Sequence, residues 1–216
     1  MNRLLYLLLF TPLFLLSSCV EDVQGCLDSQ ACNFNSESTV ETFCEYPDLG
    51  YDCDGVINEY VVGMEAEGGI IFYVDETGEH GLVTAIEDLP DYYKWACFGM
   101  DTVGYDGYII GTGLQNSIDI SIACPESQVA ACIALAYETE GYSDWYLPSL
   151  DELLLMRSTF YIGGGLFDIG GFKNHFYWSS TINYNHYAWN VYFGGLNATS
   201  YSNVDTHLLV RPIRSF

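Results

Sequence analysis

Apolar and polar positions follow three different rhythms along the chain. From Leu4 to Leu16 the residues are almost all apolar, behind a single positive charge at Arg3. That run is about 13 residues, short of the ~20 that a bilayer-spanning helix needs, and Pro12 interrupts it. It reads as the apolar core of a signal peptide over residues 1–18, followed by a tether at 19–25. Between 26 and 56 large apolar residues are sparse among Asn, Ser, Asp and the cysteines Cys26, Cys32, Cys44 and Cys53. Such a segment cannot bury a core and must be cross-linked. Apolar segments return, alternating or continuous and punctuated by glycine, over a globular region at 60–216.

Within that region Gly69–Val74 and Gly81–Ile86 flank Asp75-Glu76-Thr77-Gly78, the pattern of a hairpin of two buried strands. A helix is predicted from about Glu126 to Glu138, opened by Pro125. A second follows Pro148, with Ser149 as N-cap and Glu152 three residues on, a capping box. Strands are predicted at Phe176–Thr181, Tyr187–Phe193 and His207–Ile213. Strands, then two helices, then strands imply an α+β domain with a mostly antiparallel sheet.

Charge narrows the partners. The chain has 29 acidic against 6 basic residues, a formal net charge of -23, so phosphate backbones are repelled and nucleic acid binding is not expected. Sulfated polymers would need a basic patch, which the sequence does not offer; the acidity also serves as plain solubility. Eight cysteines behind a signal segment point to disulfides. With Cys19 set aside, seven remain and one thiol is left over. Four cysteines in the small module allow three connectivities; the interleaved one, Cys26 with Cys44 and Cys32 with Cys53, closes loops of similar size. In the larger region Cys124 with Cys132 is the expected pair, leaving Cys97 free. No Cys-x-x-Cys or Cys/His cluster with zinc spacing is present, and His80, His175, His186 and His207 are scattered.

Two readings stand for the oxygen-rich residues Asp28, Asn33, Asn35, Asp52 and Asp54. They can supply hard ligands to calcium, the one candidate ion, or they can form turns through side-chain to backbone bonds; no EF-hand spacing is present. No other cofactor is expected. Trp145, Trp178 and Trp189 are expected mostly in the core, with one or two available to line a groove. Tyr184-Asn185-His186-Tyr187 and the Tyr, Asn and Ser residues from Asn197 to Asn203 suit a polar ligand or a partner protein. The candidate ligand-binding residues are therefore Trp178, Tyr184, His186, Tyr187, Asn190 and Tyr201, on a late hairpin whose loops can vary without unfolding the domain.

Several segments resemble known exported proteins. Leu16-Ser17-Ser18-Cys19 resembles a lipoprotein signal-peptidase box, which implies cleavage before Cys19 and lipid on its thiol. Glu21-Asp22 resembles the surface-export signal of Bacteroidetes lipoproteins, implying an anchor in the outer membrane with the protein facing outward. Gly25–Asn35, Cys44-Glu45-Tyr46 and Tyr51–Gly55 resemble a short Cys-rich module of marine Bacteroidetes exported proteins, without the further cysteine that often follows. The larger region resembles the DUF1566 family, also called the Lcl C-terminal domain family after a bacterial collagen-like adhesin. The segments that carry this are Gly69–Phe72, Ile110–Gly113 with Asn116, Asp144–Ser149 with Asp151–Leu153, Tyr177–Thr181, Ala188-Trp189 and Val210–Arg214. That resemblance implies a C-type-lectin-like fold used in adhesion or glycan binding. It also places Asp151 and Glu152 in the motif that accompanies Arg211 and Arg214, which makes them the expected ion-pair partners.

The expected function is a surface-displayed binding or adhesion module without catalysis, for a glycan or another surface protein, touching the membrane only through its lipid. A structural subunit of an envelope complex is the alternative. An enzyme like the formylglycine-generating proteins would need a late cysteine pair, and no cysteine follows Cys132. Gly-x-Ser-x-Gly and His-Glu-x-x-His are absent too, although a glycosidase carboxylate pair is defined by a separation that sequence does not reveal. The calcium-lectin signatures are missing, with Trp189-Asn190 only a partial echo.

Overall fold

The structure is a computed structural model that describes residues 22–97, 99, 107–162, 165–166, 169–195 and 198–216. Cys19, Glu21 and the signal segment lie outside the described residues. The chain divides into two compact units, one formed by residues up to 48 with 53–55, the other by 49–52 with 56–216.

The smaller unit is held by cross-links and turns. Strands β1 (Gln24–Gly25) and β2 (Val40–Glu41) pair in parallel. Disulfides join Cys26 to Cys44 and Cys32 to Cys53, closing separations of 18 and 21 residues. Asp28 accepts from Gln30 N (2.9 Å) and from the Tyr46 hydroxyl (2.7 Å), Asn35 accepts from Glu37 N (3.0 Å), and Asn33 bonds both Glu45 N and Phe43 O. Asp52, which belongs to the larger unit, accepts from Val56 N at 2.9 Å. Three of the five candidate calcium ligands, Asp28, Asn35 and Asp52, thus accept local turn bonds, whereas Asn33 bridges to residues ten and twelve positions on and Asp54 is exposed.

The larger unit is α+β, and the pairs between its named strands are all antiparallel. Strands β3 (Glu65–Ala66), β4 (Gly69–Val74) and β5 (Gly81–Thr84) form a sheet that β13 (Ile213–Ser215) completes in the order β13-β5-β4-β3. Gly69 is required there, since a Cβ would lie 2.1 Å from Thr84 O. β6 (Tyr93–Lys94) follows, then helices α1 (Gly113–Ala123), α2 (Ala130–Leu135) and α3 (Leu150–Phe160), and the small pair β7 (Tyr161–Ile162) and β8 (Gly165–Leu166). A second sheet, ordered β11-β10-β9, consists of β9 (Phe176–Tyr184), β10 (Tyr187–Tyr192) and β11 (Thr199–Asn203); β12 (His207–Leu208) pairs with β6.

β9 is sealed on both faces, which explains its unbroken apolar and small-hydroxyl run. Trp178 and Ile182 enter one core with Trp95, Leu147 and Val210, and Tyr177 enters another with Phe72, Leu153 and Phe193. The buried hydroxyls on the strand are bonded: Ser179 Oγ donates to Trp189 O (2.8 Å) and Thr181 Oγ1 to Gly107 O (2.9 Å).

Several expectations change. α2 is shorter than the helix predicted over 126–138, because Val129 is still extended when it opens at Ala130. α1 was not predicted: it buries Asn116, Ser117 and Ile120 while Leu114, Ile118 and Ile122 face outward, so its apolar stripe points away from the core. The strand predicted over His207–Ile213 is split into β12 and β13, with Pro212 lacking the N–H to continue the ladder. The disulfide of this unit joins Cys97 to Cys124, Cα atoms 5.4 Å apart, and leaves Cys132 free, so the Cys124–Cys132 expectation is corrected.

Asp151 and Glu152 are not the partners of Arg211 and Arg214. Arg211 Nε donates to Asp88 Oδ1 at 2.8 Å and its guanidinium lies over the Phe172 ring at 4.0 Å. Arg214 makes two bonds to Asp144 (2.7 and 3.2 Å), a longer one to Glu67 Oε2 (3.4 Å), and stacks on Tyr142 at 4.1 Å. Asp151 and Glu152 instead open α3, where negative charge complements the helix N-terminus. Glu152 Oε2 accepts from Ser149 N (2.7 Å) and Glu152 N donates to Ser149 Oγ (3.3 Å), a reciprocal cap that turns the carboxylate inward.

Candidate functional site

β9 and β10 meet in a two-residue turn, Asn185-His186, with Tyr184 paired to Tyr187 across it. Asn185 has φ +45°, a conformation that Asn tolerates better than most residues. Alternation along β10 then puts Tyr187 and Trp189 on one face, and the register with β11 sets Tyr201 opposite Trp189. Four rings converge. Tyr184 and Tyr187 stack with centroids 5.2 Å apart; Tyr201 meets Tyr187 at 5.8 Å and Trp189 at 5.9 Å, both edge to face. Tyr184 is 51% and Tyr201 48% exposed, so this aromatic platform remains open to solvent.

Of the six candidate ligand-binding residues, Tyr184, Tyr187 and Tyr201 come together here, and His186 sits in the adjoining turn. Trp178 and Asn190 do not face solvent. Trp178 is fully buried and donates its indole N–H to Tyr93 O at 2.8 Å; Asn190, on the opposite face of β10, donates to Ser202 Oγ at 3.0 Å. Trp189 was the missing member. Its position two residues after Tyr187 carries the signal, but placing Tyr201 beside it requires the β10–β11 register.

A second concavity lies at the tips of two hairpins, with a volume of about 410 Å³ and walls that include Tyr51, Glu65, Glu67, Glu140 and Tyr142. Both tips are Glu-Gly pairs with positive φ: Glu67 (+56°) with Gly68 (+79°), and Glu140 (+49°) with Gly141 (+87°). Positive φ at both central residues is the geometry of type I′ hairpin turns, which ordinarily use Asn-Gly or Asp-Gly. Glu67 is held by the Tyr60 hydroxyl (2.6 Å), the Tyr142 hydroxyl (3.2 Å) and Arg214. Donating that short bond pushes the Tyr60 phenol up to about 12. Nothing in the sequence pattern drew attention to these turns, because Glu is an uncommon residue in them.

Among the described residues no helix is long and apolar enough to cross a membrane. No protein-family model matches the chain, and no curated protein matches it. A crystal structure of a fimbrial protein from Bacteroides ovatus is similar, with a TM-score of 0.44 and 17% identity over 81% of this chain and 50% of that one, so the chain spans half the length of that protein.

Proposed function

We propose that the chain is a surface-displayed binding or adhesion module, without catalysis, that engages its partner through the Tyr184, Tyr187, Trp189 and Tyr201 platform. The observation that carries this is four clustered rings left open in a domain that buries Trp95, Trp145, Trp178, Phe72 and Phe160 completely. Half-exposed aromatic side chains offer large contact area at low entropic cost, the economy binding surfaces use. The residues that resemble DUF1566 mostly build the scaffold: Trp145 and Trp178 fill cores, Glu152 caps α3, and Arg211 and Arg214 tie strands to loops. Of the resembling residues only Trp189 joins the platform, which leaves its three tyrosines free for function and fits kinship with a C-type-lectin-like adhesion family. Lipid on Cys19 anchors the chain in the outer membrane, facing outward. Mass spectrometry of the mature N-terminus should find a diacylglyceryl cysteine, and an unmodified thiol there overturns the anchor.

The platform is tested on cells displaying the protein. The pair Tyr184→Ala and Tyr201→Ala should abolish attachment to polysaccharide- or protein-coated surfaces while shifting the melting temperature by only a few degrees, since exposed substitutions change stability by about 0.5 kcal/mol or less. Attachment equal to that of the unaltered protein rules the platform out. One observation favours the alternative of a structural subunit in an envelope complex. Leu114, Ile118 and Ile122 on α1, with Tyr108, Ile109 and Ile110 before it, expose large apolar side chains, as interface surfaces do. In that case Ile118→Lys with Ile122→Lys would release the protein from a larger detergent-solubilised assembly on a sizing column.

A further inference from the structure

We infer that the platform takes an uncharged saccharide chain, an inference that rests on the binding role proposed for it. Between Lys173 and Asp205 there is no Asp, Glu, Lys or Arg, in a chain where 16% of residues are charged. The three strands β9, β10 and β11 lie within that interval, so the sheet that presents the rings contributes no formal charge. What it offers besides the rings is amide and hydroxyl chemistry. Asn185 and Thr199 are exposed, and Thr199 shares the Tyr201 face by alternation.

That combination selects among ligands. A sulfated or uronic polymer would need a guanidinium or ammonium to receive its anion, and it would approach a protein of net charge -23 with no such group on these strands. A cationic chain would find no carboxylate on these strands, the nearest in sequence being Asp205 two residues past β11, although carboxylates are abundant elsewhere. A neutral sugar presents a C–H face that packs against aromatic rings, and hydroxyls that exchange bonds with amide and hydroxyl groups, which both donate and accept. With charge absent from the contact, binding is insensitive to salt.

Affinity electrophoresis of the mature chain tests this, with neutral glucan, mannan or xylan in the gel, and with alginate or a sulfated galactan as the acidic arm. At least one neutral polymer should retard the protein equally at low and high salt. Tyr184→Ala with Tyr201→Ala should weaken that retardation about tenfold or more. Tyr184→Phe with Tyr201→Phe, which keeps the rings and guards against loss of folding, should retain most of it. Retardation by acidic polymers alone, lost in the Ala pair, overturns the uncharged ligand while leaving the platform as the site. Neutral binding that survives the Ala pair overturns both, and no retardation by any neutral polymer overturns the inference.

Discussion

Asp88 and Arg211 form an ion pair whose side chains are 3% and 0% exposed, so neither charge can fall back on water. Arg211 also donates to Ala85 O and Ile86 O, and Asp88 also receives the Tyr177 hydroxyl at 2.9 Å, which ties β9, the β5 exit and the segment between β12 and β13 together. Removing one partner strands the other. Asp88→Asn should therefore lower unfolding free energy in urea by about 3–5 kcal/mol, whereas Asp88→Leu with Arg211→Met should lose less than the single change. Equal losses from the single and double variants would mean the pair is not coupled. Glu152 makes a second residue-scale test. Burial raises its carboxyl above the ordinary range, against the N–H groups of Ser149 and Gly111, which pull it down. With the folded-state pKa above the unfolded one, the folded state takes up this proton more readily. The group's favourable contribution is thus full below the unfolded pKa and is lost as pH rises through the folded one. Relative to Glu152→Gln, the unaltered protein should gain stability as pH falls through that window, and a relative loss would show the shift has the opposite sign. That scarce arginines need carboxylates was legible in the sequence; which ones was not, because Asp88 lies 123 residues before Arg211 and is brought to it by pairing of the chain's end with the stretch after β5, through Ala85 N to Pro212 O and Leu89 N to Val210 O.

Elements were legible where one local rule decides them. The hairpin of β4 and β5 follows from alternation around Asp75-Glu76-Thr77-Gly78, and α3 from its Ser149/Glu152 capping box. α1 escaped because its inward face is made of Gly113, Asn116, Ser117 and Ile120; Asn116 bonds Gly107 O and Ser180 Oγ, and Ser117 bonds Leu147 O. Periodicity reads a helix by its apolar stripe, and here the stripe faces solvent. The platform was half legible: the aromatic and amide composition of the late hairpin marked the region, but period-two alternation sends Asn190 inward and Trp189 outward. The two Glu-Gly turns yield a paired prediction at this scale. Glu140 is exposed and pays for its positive φ without a hydrogen bond to Tyr or Arg, so Glu140→Asn should raise stability by roughly 0.5–1 kcal/mol, as substitutions matched to native φ/ψ do. Glu67→Asn makes the same backbone gain but gives up Tyr60, Tyr142 and Arg214, and should lower it by about 1–3 kcal/mol through the groups left unpaired. Thermal melts that move both variants in the same direction would refute the distinction.

At the scale of the whole molecule, the sequence suggested a small cross-linked module ahead of a self-sufficient domain. Residues 49–52 belong with those from 56 to the larger unit, where Tyr51 bridges Ile57 and bonds Glu65 O. Composition cannot show that membership, because a turn-rich stretch looks the same whichever unit it serves. Cysteine pairing shows the same limit. Loop size favoured the interleaved pairs of the small unit, but proximity in sequence misled for Cys124 and Cys132. Cys124 follows the last turn of α1 fully buried, and Cys97, just after β6, meets it there; Cys132 rides on α2 with its thiol 3.7 Å from Cys124 O. This arrangement makes a prediction about the intact protein. Burial pushes the Cys132 thiol up, so little thiolate is present to attack the neighbouring disulfide, and the Cys97–Cys124 bond should persist without reshuffling. Cys132→Ser should keep the melting temperature within a few degrees and leave Cys97 and Cys124 joined in a non-reducing peptide map. Cys97→Ser with Cys124→Ser opens a loop of 27 residues and should lower stability by roughly 3–4 kcal/mol in the chain-entropy account. A map that links Cys124 to Cys132, or a Cys132→Ser variant that melts as low as the double one, would place the cross-link elsewhere.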